Sequence, residues 1–400
     1  MKRSIGQPLT AVAVLLAVAC GGGASSSSAS NGGATGPGVT SDTIQIGTTN
    51  AQTGNVSGPA TLTQAGAQAV FDKVNAGGGV YGRKIKDTVL DDGYTAPKAV
   101  ANARTFIDQP VLAVFGGYGT VPSQSIVPIL EQAKVPYLFP YQGNPYPGDK
   151  YVFLMMPLYR NQTAAVIKAA IEKYGKGTVY ALVGKTADTP QTVQVAQQAT
   201  AQAGGTWLGY DEVNQGTTDY TPYVLRMKQT HPDFVLVSTT PTDCARYVTA
   251  MVAQGALPAK RILGLQTLAT ESFINAVPPE ASNAVFAPGP NAAPSNKLAA
   301  DCVATVHKYS PGTQVTMETL WGCGTAQVFV YALQKTGAHL TRDGLLKTLE
   351  GMHQVDAAPV LTPVSFSASN HVGEATMYQF TSSGKQLVSG GTMPIANVAT

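Results

Sequence analysis

The stretch Asn75-Ala-Gly-Gly-Gly-Val-Tyr-Gly-Arg-Lys-Ile85 contains, at Gly77, Gly79 and Gly82, a literal G-x-G-x-x-G. A dinucleotide-binding loop follows a strand and opens a helix, so that free amides at the helix start meet the pyrophosphate. Here the order is reversed. Ala67, Val70, Phe71 and Val74 recur at i, i+3, i+4 and i+7, which predicts an amphipathic helix over Leu62–Asn75 ahead of the glycines, and Lys84–Leu90 reads as a strand behind them. The glycines are expected to cap a helix in left-handed conformation after Asn75 and to turn the chain into that strand. No nucleotide and no other cofactor is expected.

The same alternation extends in both directions from this turn. Thr43–Gly47 reads as a strand before the helix. After it, Pro97 opens a helix with Val100, Ala103 and Ile107 inward, followed by strand Val111–Phe115, a helix near Pro122–Ala133 and strand Pro136–Phe139. Beyond Tyr151–Pro157 the rhythm restarts with helix Gln162–Tyr174, strand Thr178–Val183, helix Thr189–Ala203 and strand Thr206–Val213. It continues with helix Pro222–Gln229, strand Asp233–Val237, helix Cys244–Gln254 and strand Arg261–Leu265. Alternating strands and helices require parallel sheets with helices on both faces, because crossovers are right-handed. Two runs of similar length predict an α/β protein of two doubly wound, Rossmann-like lobes. Val285–Thr400 adds helices at Ser295–Tyr309 and Met317–Leu333 and a β-like tail, Ala375–Phe380 and Gln386–Val388, and is expected to divide between the lobes.

The chain opens with Lys2 and Arg3 and an apolar run from Leu9 to Ala19, too short to span a bilayer, which needs about 20 apolar residues. Residues 1–19 read as a signal peptide. Ala17-Val-Ala-Cys20 resembles the bacterial lipobox, with the usual Leu one place early at Leu16, so Cys20 is the expected lipid attachment point. Gly21–Gly38 is Gly, Ser, Ala and Asn with little to bury, a flexible tether within residues 20–41. Without the leader, 24 basic residues face 23 acidic ones, net +1, and no basic stripe points to nucleic acid. None of the four cysteines lies in a C-x-x-C, so metal and haem sites have no local support. Cys302 and Cys323, on consecutive predicted helices, are candidates for a disulfide; spacing alone leaves the pairing open. Cys244 reads as a small buried apolar residue.

Catalytic motifs fail. Val183-Gly-Lys-Thr186 ends like a phosphate-binding loop, but Val179 stands where that loop needs glycine. G-x-S-x-G and H-E-x-x-H are absent, the five histidines neighbour no nucleophile, and Asp91-Asp92 reads as a turn with Gly93. No enzyme is expected. What remains is a cleft at the carboxyl ends of the strands, where doubly wound sheets place ligands. Those ends are Thr48–Thr53, Gly116–Thr120, Pro140–Gly143, Gly184–Asp188, Ser238–Asp243 and Gln266–Ala269, three from each lobe. Gly116-Gly-Tyr-Gly-Thr120 admits two readings: close backbone approach to an anionic ligand at a helix start, or a turn with Thr120 or Ser123 as a helix cap.

"QAGAQAVFDKVNAGGGVYGRKI" at Gln64–Ile85 and "VLDDGYTAPKAVANARTFID" at Val89–Asp108 resemble the substrate-binding proteins of branched-chain amino acid type ABC transporters, the Leu/Ile/Val-binding family. "AVFGGYGT" at Ala113–Thr120, "KVPYLFP" at Lys134–Pro140 and "YVFLMMP" at Tyr151–Pro157 are similar too. The resemblance, over Asp42–Thr400, implies a type I periplasmic binding protein. That fold joins two lobes by three crossover strands, here near Pro157, Pro288 and Thr362. It divides the chain into residues 42–157 with 289–362, and 158–288 with 363–400. It implies an exported, membrane-anchored lipoprotein, monomeric, that closes on a small ligand and delivers it to ABC permease subunits, with ligand sensing for a signalling receptor or regulator as the alternative.

In amino-acid-binding members, first-lobe hydroxyls and amides hold the carboxylate and a second-lobe acid receives the ammonium. By this resemblance Thr120 matches the first hydroxyl, Pro140-Tyr-Gln-Gly143 replaces a hydroxyl-rich stretch, and Gln266 stands at the acidic position. An ammonium buried without its carboxylate loses about 2–5 kcal/mol, which counts against a free amino acid. The expected contacts are Thr53, Tyr118, Gly119, Thr120, Tyr141, Gln142 and Gly143 from the first lobe, closed over by Asp188, Thr240 and Gln266, with Tyr118, Tyr141 and Tyr159 as flat apolar walls.

Overall fold

A computed structural model describes residues 36–144, 146, 150–355, 363–373 and 376–395. The leader, Cys20, most of the tether, Thr362 and Ala375 lie outside the described residues. The first half of the chain gives β1 (Thr43–Asn50), α1 (Ser57–Ala76), β2 (Lys84–Asp91), α2 (Ala96–Asp108), β3 (Val114–Phe115), α3 (Thr120–Gln132), β4 (Tyr137–Leu138) and β5 (Val152–Phe153). They form a five-stranded sheet, order β2-β1-β3-β4-β5, parallel throughout.

The run then restarts with α4 (Tyr159–Tyr174), β6 (Thr178–Gly184), α5 (Thr189–Gln202), β7 (Thr206–Val213), α6 (Thr221–Gln229) and β8 (Phe234–Ser238). It goes on through α7 (Pro241–Ala253), β9 (Arg261–Gly264), α8 (Glu271–Ala276), α9 (Pro279–Ala284) and β10 (Val285–Gly289). α10 (Ala300–Tyr309), α11 (Met317–Thr336) and α12 (Arg342–Glu350) follow, and the hairpin β11 (Thr376–Ser383) and β12 (Gln386–Pro394) ends the described chain. The second sheet runs β12-β11-β10-β9-β8-β6-β7, parallel except at β10/β11 and β11/β12. The hairpin alone brings antiparallel pairing into the sheets, because a tight turn joins only antiparallel strands.

Each sheet is covered on both faces. One face of the first packs Phe71 of α1, Cys302 of α10, Phe329 of α11 and Leu345 of α12; the other packs Ala103 and Phe106 of α2 and Ile126 and Leu130 of α3. The second sheet buries Val166 and Ala196 of α4 and α5 on one side and Val224, Val248 and Phe273 of α6, α7 and α8 on the other. α1 and α11 cross where neither can carry a Cβ: one on Gly66 would stand 2.0 Å from the Thr319 carbonyl oxygen, one on Gly322 1.9 Å from that of Thr63. Cys302 and Cys323 are joined Sγ to Sγ, their Cα atoms 6.0 Å apart, which ties α10 to α11 inside this core. Cys244 is free and wholly buried, and burial pushes its thiol up to about 12.

Three sequence expectations need correction. The buried stripe of α2 is Ala99, Ala103 and Phe106, with Val100 and Ile107 at its margins, because Phe106 packs against Gly47 on the adjoining strand. The cap after α1 is not left-handed at Gly77, whose φ is −81°; the reversal comes at Gly78 and Gly79, φ 99° and 79°, where the chain presses on the Arg83 carbonyl. The third passage between sheets comes after Gly373 rather than near Thr362. His371 and Gly373 exchange hydrogen bonds with Leu154 just beyond β5, and Phe366 sits in the first-lobe core.

Candidate ligand-binding cleft between the lobes

The carboxyl ends of both sheets face one cleft, which encloses about 660 Å³ of unfilled space, its open mouth included. The first lobe contributes Tyr94 after β2, Tyr118, Gly119 and Thr120 after β3, and Tyr141 and Asn144 after β4. The second contributes Tyr159 at the head of α4, Gly184, Thr186, Thr189 and Thr192 from β6 and α5, Ser238, Thr239, Thr240 and Pro241 from β8 and α7, and Thr267 after β9. Val183, Leu265 and Gln215 complete the lining, and none of these residues carries a charge.

The first-lobe wall is aromatic. Tyr118 and Tyr141 bridge like strand residues, with the Gly119 N–H donating to the Tyr141 carbonyl at 3.1 Å, and their rings stack at 4.8 Å and 7°. Trp321 of α11 meets Tyr141 edge-on at 5.4 Å. The Tyr94 ring covers Gly119, whose φ of 92° is a conformation side-chain-bearing residues avoid. Burial raises these three phenols, and that of Tyr159 on the second lobe, above the ordinary tyrosine value, so each remains a hydrogen-bond donor at neutral pH. The Tyr118 hydroxyl is buried without a partner.

Four long helices begin at this cleft. Thr120, Tyr159, Thr189 and Pro241 are the first residues of α3, α4, α5 and α7, and all four line it. The positive ends of four helix dipoles therefore converge on a space whose lining carries no acidic side chain, although Asp188 and Asp243 stand at the starts of α5 and α7 behind it. That field favours an anion.

Of the expected contacts, Tyr118, Gly119, Thr120, Tyr141 and Thr240 line the cleft, as does Tyr159. The others do not, each for a local reason. Thr53 is held in an exposed loop by Asp91, which accepts its N–H at 3.1 Å and its hydroxyl at 2.8 Å. Against its desolvation, these bonds and the N–H groups of Gly93 and Gln52 keep Asp91 well below the usual carboxylate range. Gln142 folds back on its own loop, its Oε1 accepting the Asn144 N–H at 2.6 Å. Gly143 lies beneath the Tyr159 ring. Asp188 turns to Arg160, 3.7 Å away, and to Thr192. Gln266 is fully buried behind the lining, fixed by its N–H to Gln162 Oε1 at 3.2 Å; its carboxamide faces the Tyr159 hydroxyl but completes no well-formed hydrogen bond.

Two kinds of contact escape the sequence reading. Tyr94 and Gln215 follow β2 and β7, strand ends as much as the six considered, and only attention to every strand would have included them. Thr186, Thr189 and Thr192 belong to a considered loop and its helix, but nothing in the sequence separates them from Asp188.

Residues 43–386 match the family model described as periplasmic binding protein. The chain belongs to the periplasmic binding protein family. A leucine-, isoleucine-, valine-, threonine- and alanine-binding protein of Pseudomonas aeruginosa is 25% identical over 200 residues, 49% of this chain and 54% of that relative. The chain thus spans about half the length of the curated relatives it matches. In fold the family likeness is fuller. A fatty acid ABC transporter substrate-binding protein from Thermomonospora curvata superposes with a TM-score of 0.77 at 22% identity, over 90% of this chain and 95% of that one. A solute-binding protein of an ABC transporter from Rhodopseudomonas palustris, in complex with 3,4-dihydroxybenzoic acid, gives 0.76 at 18%, over 89% and 98%. Family members are solute-binding proteins. Among the described residues, no cluster of three or more His, Cys, Asp or Glu is placed to hold a metal, and no helix is long and apolar enough to cross a membrane.

Proposed function

We propose that this protein is an extracytoplasmic solute receptor of an ABC importer, binding a small carboxylate-bearing organic molecule between its lobes and passing it to permease subunits. The observation that carries this reading is the convergence of four helix starts on a cleft without a charged side chain. The ligands named for the relatives, branched-chain amino acids, fatty acid and dihydroxybenzoic acid, share a carboxylate. An α-amino acid fits less well here: no lining carboxylate can receive its ammonium, and Gln266 supplies none. The stacked tyrosines suit a flat or apolar body instead.

Closure would turn on the three passages between the sheets, after β5, after β10 and after Gly373. The ligand's preference for the closed form supplies the bias. The lobes already touch where the Thr242 hydroxyl donates to the Asn55 carbonyl at 2.9 Å. Anchoring through lipid at Cys20, with monomeric action at the membrane face, completes the proposal; its support is the lipobox-like Ala17-Val-Ala-Cys20.

The test is calorimetric titration with aromatic and short-chain acids beside their uncharged amides, with leucine and valine included. Acids binding at least tenfold tighter than their amides support the reading. Amides binding equally well, or leucine binding tightest, would refute it. For the anchor, incorporation of radiolabelled palmitate that persists in Cys20→Ala would remove the lipid claim.

A further inference from the structure

The two lobes meet at the head of α11. Met317 packs into the second-lobe core, while Leu320 and Trp321, one turn on, belong to the first. The second passage between the sheets runs alongside, where Asn291 Nδ2 donates to the Met317 carbonyl at 3.3 Å. Two carboxyls from opposite sides of this seam come together here. Glu271 opens α8 of the second lobe, and its Oε2 accepts the Met317 N–H at 2.8 Å. Glu318, on α11, is fully buried, and neither of its oxygens has a hydrogen-bond partner among the described residues.

The groups that face the pair are neutral or acidic. Thr270 and Ser272 approach Glu318 from the start of α8 and Thr316 from the start of α11, without completing a well-formed hydrogen bond. Tyr118 and Tyr141 approach it from the first-lobe wall, and Tyr141 feels Glu271 as well. Among the described residues, no basic side chain acts on either carboxyl. Arg246, the cation of the adjoining groove, is taken by Asp243 at 3.6 Å. Two carboxylates side by side and shielded from water cannot both stay charged, so the assembled seam holds a proton. Water reaches it from two spaces between the lobes. The cleft lies beyond the tyrosines, and a second groove, about 1170 Å³ of unfilled space with its open mouth included, runs from Pro59 of the first lobe to Ser272 and Ala276 of α8.

We propose that Glu271 and Glu318 form a proton-operated latch: protonated, the pair lets the lobes of the empty protein close, and ionised, it drives them apart. The latch rests on the proposed hinge closure and not on the identity of the ligand. Opening widens both spaces and hydrates the carboxyls, so the proton leaves to solvent; closing takes one back. Because the closed form holds the proton more tightly than the open one, its advantage is full below the ordinary carboxylate range and is lost as pH rises to neutrality. One proton linked in this way changes the closed-to-open ratio by up to about a hundredfold between pH 5 and pH 8. Through that ratio pH sets the apparent affinity for any solute that the closed form retains.

The experiment is small-angle X-ray scattering of the full mature chain, without ligand, at pH 5 and pH 8. A smaller radius of gyration at pH 5 is expected. Glu271→Gln/Glu318→Gln should stay compact at both pH values. Asp87→Asn should keep the wild-type swing, because Asp87 accepts from Thr48 and Gln64 within the first lobe and does not bridge the seam. If the double variant folds poorly, Glu271→Gln alone, which still accepts from Met317, should narrow the swing. Equal radii in the wild type, a swing undiminished in the Gln variants, or a swing lost in Asp87→Asn overturns the latch. Each of these leaves the solute-receptor reading to stand or fall by its own titrations at fixed pH.

Discussion

The aromatic ring of Tyr94 lies so close over Gly119 that a Cβ there would stand 2.2 Å from the ring's Cε2. Gly119 also holds a φ of 92° immediately before α3. In Gly119→Ala the ring must leave the wall or the helix start must tilt, and either change disturbs the anion-favouring end of the cleft. The expected result is at least tenfold weaker binding of whichever acid the wild type takes, with about 1–2 kcal/mol lost in stability. Wild-type affinity in this variant, measured by the same titration, would mean that neither group contacts the ligand.

The buried, unpartnered hydroxyl of Tyr118 gives a second prediction with two opposed signs. Removing it in Tyr118→Phe keeps the stacked ring and relieves a desolvated polar group, expected to raise stability without ligand by about 1–3 kcal/mol. The same change removes a donor facing the cleft and should weaken acid binding. Thermal melts with and without ligand separate the effects: a higher melting temperature when empty and a smaller ligand-induced shift are expected. A variant less stable when empty would show that the hydroxyl has a native partner.

The fold was legible because strands and helices alternate from Thr43 to Gly264 with few exceptions, and alternation leaves one architecture. The loops that carry the site were legible for the same reason, since parallel strands send all their carboxyl ends to one side. Side-chain direction within those loops was not. Thr53 and Gln142 look as available as Thr120 in sequence, yet Asp91 captures one and its own loop captures the other. The first capture depends on a residue distant in sequence, which no local pattern records; the second is local, but the sequence does not distinguish a Gln142 side chain folded onto Asn144 from one turned to the cleft. The misplaced face of α2 has a similar origin, because Phe106 takes the core position that Ile107 would hold on periodicity alone.

The Cys302–Cys323 bond closes a short loop, separation 21, between two helices of the first-lobe core. Loop-closure entropy alone predicts about 3 kcal/mol of stability from it. A Cys302→Ala/Cys323→Ala double variant should therefore melt several degrees lower while retaining ligand affinity, because neither residue lines the cleft. Unchanged melting would place the two thiols apart in solution. Both sulfurs are fully buried, so a reductant should act on the native protein only slowly.

The pH dependence of stability follows from a carboxyl pair between α8 and α11. Glu271 Oε2 accepts the Met317 N–H at 2.8 Å, and burial, then the neighbouring fully buried Glu318, push Glu271 up to about 7 from an ordinary 4.5. Burial raises Glu318 as well, and no basic group acts on either carboxyl as a cause of its shift. Between pH 4.5 and 7 the native state thus binds more protons than the unfolded chain, so stability falls as pH rises through that window and levels off above it. Asp87, which burial raises to about 6, adds to the fall between about 4 and 6. Asp91, held low, works in the opposite sense only in stronger acid. The contribution of Glu271 is on the order of 3 kcal/mol, at roughly 1.4 kcal/mol per pH unit across that window. Glu271→Gln, which still accepts from Met317, should match the wild type at pH 5 and exceed it at pH 8. Melting temperatures at the two pH values decide the matter, and an equal difference at both would show that Glu271 does not titrate in the folded protein.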